Sequence, residues 1–236
     1  MSDLPSAKAI KRIAIVGNAY IKNRGNYLMQ GPVWSEKHWS GLVKPDWNLP
    51  KRITREFLYD GFQNPESVVD AEALFVAAMI WGYGGVGYGP HRVGLMLKSA
   101  SQREGSVGQF VQDLKKESRE KESGAYEFLA NRVNRLDRLG PSFGSKLAYF
   151  STPNHDSPIL DSVVAAWIHE HEGRWLFDAN KWSTSQYESY QEYCKALIPV
   201  GGSNAIDETW SCGLVEHLMF VDQSLSGFPS WAKTYS

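Results

Sequence analysis

Cysteine is scarce in this chain. Cys194 and Cys212 are the only two in 236 residues, too few for a disulfide framework or a four-cysteine iron–sulfur cluster. They point to a reducing cytoplasm. Long apolar runs are also missing: nothing approaches the roughly 20 residues that span a bilayer, so a membrane protein is disfavoured. The N-terminal "MSDLPSAKAIKRIAIVG" has no extended apolar core and does not read as a secretion signal. Clustered metal ligands are few. His169 and His171 are the one close pair, and at i, i+2 on a helix they point to different faces. No metal and no cofactor is therefore expected. Net charge is nearly absent at −1, which looks poor for a nucleic-acid binder, because Lys and Arg on phosphates supply most non-specific affinity.

What is present changes that last point. Residues 92–150 hold eleven Lys/Arg against seven Asp/Glu, whereas 151–236 hold four against eleven. A solvated helix face is the common meaning of such a run, so only a motif inside it gives the basic middle a function. With 42% hydrophobic and 22% charged residues the composition is globular, and the length suits one domain over 1–236, with 1–60 poorly defined. "IAIVG" reads equally as a strand or a helix start. "NPESVVDAEALFVAAMIWGYG" reads as a helix capped at Asn64, with Pro65 in its first turn, stopping at Gly82. Val107, Phe110, Val111 and Leu114 recur at helical spacing, as do Phe128, Leu129, Val133 and Leu136 in "AYEFLANRVNRLDRL". Further helices follow through "ILDSVVAAWIHEH", "YESYQEYCKALI" and "NAIDETWSCGLVEHLMFVD". The fold class is all-α.

The stretch "LGPSFGSKLAYF" lies in the basic middle. As a nucleotide phosphate loop it fails: Gly140 is followed by three residues, then Gly144, Ser145 and Lys146, with Leu147 where a magnesium-binding hydroxyl belongs and no strand before it. As a helix–hairpin–helix it fits better. One helix runs into "GPSFG", a second starts at Ser145, and glycines 140 and 144 leave backbone amides open to a phosphate oxygen at the positive helix end. Arg135 and Arg138 add charge beside Gly140, Ser142, Gly144 and Ser145. Fifteen positions after Lys146, beyond a turn containing Pro153 and Pro158, Asp161 opens the helix "SVVAAWI".

Hairpin, lysine, proline-containing loop and aspartate in that order resemble the helix-hairpin-helix, Gly/Pro-rich, aspartate superfamily of DNA glycosylases, and most closely its bacterial 8-oxoguanine-glycosylase-like (OGG-like) branch. "GPSFGSKLAYF" and "SPILDSVVAAW" carry the likeness, which extends over about residues 65–220. Ser142-Phe143 stands where a Gly-Val-Gly type turn is usual, and the loop has prolines but no glycine. The resemblance implies two helical lobes with an active-site cleft between them. It also implies double-stranded DNA with an extruded modified base as partner, and Lys146 and Asp161 as the catalytic pair. Neither membrane nor nucleotide cofactor enters. The substrate it implies is either an oxidised purine, in repair, or a hypermodified base such as glucosylated hydroxymethylcytosine, in defence against phage.

Breaking a C1′–N bond develops positive charge on the sugar, and a nearby carboxylate stabilises it. Asp161 can do that, activate a water, or take a proton from the lysine. Lys146 can attack C1′ and form a Schiff base, after which elimination cuts the strand, or it can merely touch phosphate. Taken singly, Asp161 is an ordinary helix cap and Lys146 an ordinary surface charge. Upstream, the glycine-rich "MIWGYGGVGYGPHRVG" is a weak dinucleotide fingerprint, since a helix precedes it. It reads instead as a base pocket of Trp81, Tyr83, Tyr88, His91 and Arg92, or as packing between two helices. A rival of another class is a non-catalytic helix-hairpin-helix DNA-binding module, in which Lys146 and Asp161 are dispensable.

Overall fold

A computed structural model describes residues 4–22, 27–102, 105–198 and 210–225. Among these, eleven α-helices and short 3-10 turns make up the regular structure; the one β contact is an isolated antiparallel bridge between Val33 and Arg52. In chain order the helices are α1 (Ala7–Lys22), α2 (Glu36–Trp39), α3 (Arg55–Gln63), α4 (Val68–Tyr83), α5 (Gly89–Ser101), α6 (Val107–Glu120), α7 (Gly124–Ala130), α8 (Pro141–Ser151), α9 (Ser162–Glu172), α10 (Thr184–Leu197) and α11 (Cys212–Leu225). None is long and apolar enough to cross a membrane.

The apolar, nearly featureless sequence of α4 puts it in the centre. Phe75 to Ile80 are wholly buried, and Ser67 caps the helix by accepting from Asp70 N–H at 3.1 Å. Around α4 pack α3, α5, α6 and α8, with α7 against α6 and α8. Val107, Phe110, Val111 and Leu114 of α6 are buried as their spacing requires. At Gly108 the helices approach so closely that a Cβ would stand 2.0 Å from the Val68 carbonyl. A second group is built from both ends of the chain, where α11 packs on α9, α10 and α1. Asp222 ties three of them together, accepting from Arg12 of α1 (Nε, 2.8 Å) and from the Trp167 indole of α9 (2.8 Å). The two groups are the two lobes.

Several boundaries differ from the sequence reading. "IAIVG" belongs to a sixteen-residue helix. α4 begins after Ser67, because α3 already occupies the chain up to Gln63, and it runs through Gly82 to end at Gly84 (φ 53°). "AYEFLANRVNRLDRL" is helical only to Ala130. There Asn131 turns extended, its side chain accepts from Val133 N–H (3.1 Å), and Arg138 takes a left-handed φ of 68°. Val133, expected on an apolar face, is 79% exposed at this turn. α8 starts at Pro141 rather than Ser145, with Pro141 in the first-turn position that suits its fixed φ.

Candidate active site

The cleft between the lobes is closed at its floor by Arg55 of α3 and Glu216 of α11. Both are buried, and they form a two-point ion pair with Nη1–Oε2 at 2.8 Å and Nη2–Oε1 at 3.2 Å. The Arg55 guanidinium also lies 5.1 Å from the ring centres of Trp81 and Tyr149. Above this floor a cavity of about 80 Å³ is lined by residues of both lobes, among them Trp81, Lys146, Asp161 and Glu216. A larger cavity of about 590 Å³ adjoins it through Trp81 and Gly82 and is walled by Gly31–Val33 and the glycine-rich turn 83–86.

Lys146 sits one turn into α8 and is only 7% exposed. Its Nζ donates to Asp161 Oδ2 and to Ser142 Oγ, both at 3.3 Å. Gly82 makes room for it: a Cβ there would fall 2.6 Å from the Phe143 ring and 3.2 Å from Lys146 Cδ. Asp161 divides its carboxylate between two tasks. Oδ1 accepts from Val163 and Val164 N–H (3.0 and 3.1 Å) as the N-cap of α9, while Oδ2 faces the lysine. Cap and lysine partner are thus the same residue.

The loop that delivers Asp161 is tied at successive residues. Tyr187 OH donates to Pro158 O (2.9 Å), and Tyr190 OH to Ile159 O (2.8 Å). Ser145 Oγ accepts from Leu160 N–H (3.0 Å). Buried backbone groups of the three residues before Asp161 thereby find partners.

Sequence-predicted residues fall into three places. Lys146, Asp161 and Trp81 share the small cavity, Ser142 reaches the lysine, and Tyr83 lines the larger one, stacked on Phe143 at 4.2 Å. Gly140 and exposed Arg138 stand at the entrance to α8, where no side chain caps the helix and the amides of Ser142 and Phe143 occupy the first turn. Gly144 and Ser145 are not at a hairpin turn but inside α8. The Gly144 amide donates to Gly140 O (2.9 Å), its missing Cβ admits Trp182, and Ser145 is wholly buried. Arg135 closes the end of α7, donating to Leu129 and Ala130 carbonyls (3.4 and 2.6 Å) over the Trp182 ring. Tyr88, His91 and Arg92 are exposed at the start of α5 and line neither cavity. His169 and His171 stack separately, on Trp175 and Trp167.

Four polar or charged lining residues carry no motif: Gln30, Arg55, Glu216 and His217. Only the last two leave a trace in sequence, as a charged and an imidazole side chain within the apolar run "GLVEHLMF". Burial pushes the Glu216 carboxyl up and Arg55 draws it back; burial first, then the Arg55 charge, hold His217 well below the usual histidine range.

A family model described as "Putative 8-oxoguanine DNA glycosylase OGG-like protein" matches residues 27–220. No curated protein and no solved structure matches.

Proposed function

Because the chain belongs to the OGG-like family of 8-oxoguanine DNA glycosylase-like proteins, we propose that it removes a modified base from DNA, with Lys146 and Asp161 as the reacting pair. The observation that carries this reading is one contact. A lysine only 7% exposed points its amine at a carboxylate 3.3 Å away, inside a cavity shared by the two lobes.

The base, swung out of the stack, enters beside Trp81. Asp161 stabilises the positive charge that develops on the sugar as the C1′–N bond breaks and its electron pair leaves with the base. For the covalent route a proton must leave Lys146 Nζ, and Asp161 Oδ2 is an acceptor within reach. The amine then bonds to C1′, opening of the sugar ring gives a Schiff base, and elimination of the 3′ phosphate cuts the strand. In the hydrolytic route water supplies the bond to C1′ and Lys146 only orients the sugar. The contact between the lysine amine and Asp161 Oδ2 at 3.3 Å supports the covalent route. The amides of Ser142 and Phe143, with Arg138, hold the DNA backbone at the α8 entrance.

The larger cavity beyond Trp81 and Gly82 favours a base with a bulky substituent over a plain oxidised purine. The test is to count abasic sites formed on duplexes carrying 8-oxoguanine, glucosylated hydroxymethylcytosine or ordinary bases, with wild type, Lys146→Ala and Asp161→Asn. Base loss from one modified duplex, lowered in both variants by on the order of a hundredfold or more, is expected. Release undiminished in either variant would overturn the assignment, and release from no duplex would favour a DNA-binding module without catalysis.

A further inference from the structure

We propose that His217 is a specificity-determining residue, whose imidazole hydrogen-bonds a polar edge atom of the extruded base. This rests on the glycosylase reading above, but the residue lies on α11, far in sequence from the lysine–aspartate pair. Three observations lead to it.

His217 lines the same cavity as Lys146 and Asp161, and its Nε2 is buried with no hydrogen-bond partner among the described residues. Buried polar groups in native proteins are nearly always paired, so an unpaired one on a residue that lines a cavity calls for a partner from outside. The ring is held in place, too. It stacks on Tyr27 with centroids 5.6 Å apart and 29° between planes, and meets the Tyr20 ring edge-on at 5.5 Å. A fixed ring presents its nitrogen in one direction without an ordering cost on binding. Finally, the surroundings suit a neutral imidazole. Burial comes first, and the Arg55 guanidinium adjoining the cavity also opposes a second positive charge. A neutral ring offers one nitrogen as donor and the other as acceptor, which reads hydrogen-bonding pattern rather than charge. Gln30 completes the edge. It lines the same cavity, and its Nε2 donates to Tyr20 Oη at 3.3 Å, which leaves its carbonyl oxygen as an acceptor.

The ligand class is a nucleobase with a polar edge, one atom of which meets His217. The test compares wild type with His217→Phe and His217→Gln. Phenylalanine keeps the stack on Tyr27 and removes the unpaired nitrogen; glutamine keeps a hydrogen-bonding group. Single-turnover base release is measured on 8-oxoguanine, glucosylated hydroxymethylcytosine and unmodified duplexes, alongside binding to abasic-site DNA and melting temperature. For His217→Phe an unchanged or higher melting temperature and abasic-DNA binding close to wild type are expected. Release from the preferred base should fall on the order of tenfold to a hundredfold, the worth of one base-edge hydrogen bond, so that discrimination among bases narrows. Glutamine should recover part of the loss. Equal slowing on every base, or no slowing, overturns the role of His217 while leaving Lys146 and Asp161 untouched. Should His217→Phe fail to fold, the same comparison on His217→Gln decides: a changed base preference supports the assignment, an unchanged one ends it. Absence of release by wild type on all duplexes removes the glycosylase reading itself, and this inference with it.

Discussion

Asp161 shows how one side chain meets two partners through separate oxygens. Oδ1 caps α9 and Oδ2 faces Lys146, so the two roles can be pulled apart by substitution. Asn caps about as well as Asp, whereas Ala does not. Asp161→Asn should therefore melt close to wild type yet lose base release, whereas Asp161→Ala should lose about 1 kcal/mol of stability as well. Denaturant titration of the two variants alongside release assays checks this, and equal stability of all three proteins would refute the capping half. His155 gives a second residue-scale expectation. Stacked on Tyr59 at 3.7 Å, it is pushed down to about 4 from 6.5, by burial first and then by the Arg55 charge. A histidine with a depressed folded value leaves the unfolded chain binding more protons, so its contribution is full above pH about 6.5 and is lost as pH falls toward about 4. His155→Asn suits the left-handed backbone there (φ 57°) and cannot titrate. The drop in melting temperature between pH 7 and pH 5 should be smaller in that variant than in wild type. The order of lysine, proline-containing loop and aspartate brought both residues into view from the sequence. Ser145 was not: its hydroxyl serves Leu160 rather than a phosphate, a partner that only the folded loop reveals.

At the scale of elements, the segment from α8 to α9 works as a clamp. Tyr187 and Tyr190, three residues apart on α10, hold consecutive carbonyls of the loop before Asp161. Tyr190→Phe leaves the Ile159 carbonyl without its buried donor, which should cost about 1–3 kcal/mol, read as a lower denaturant midpoint. Base release should slow as the aspartate loosens. Normal release with lowered stability would confine the tyrosine to packing. The helices around this clamp were readable where apolar spacing alone decides, as in α6. They were misread where side chains bond locally to the backbone: Asn131 ends α7 with its own turn, and no periodicity announces that. The start of α8 did leave a signal in Pro141 at its first position.

The whole molecule is a two-lobed helical body whose lobes meet over a buried ion pair. Arg55 and Glu216 stand 161 residues apart in sequence, and nothing local marks either as a partner of the other. That is why Lys146 and Asp161, close in sequence, could be read from the chain as neighbours while the floor of their cavity could not. Removing one partner strands a buried charge, so Glu216→Ala should cost about 3–5 kcal/mol, and replacing both with Met and Leu should restore most of it. Thermal unfolding of the single and double variants checks this; a fully tolerated Glu216→Ala would show that the pair does not join the lobes. The central claim, that Lys146 attacks the sugar, is tested most directly by borohydride trapping on a base-modified duplex followed by mass spectrometry of the adduct. The chain has another buried lysine, Lys115, held below the usual lysine range by burial and then by Arg119, so the position of the adduct is informative. The expected result is a single adduct on Lys146 that vanishes in Lys146→Ala; an adduct on Lys115 or elsewhere, or base release persisting in Lys146→Ala, would contradict it.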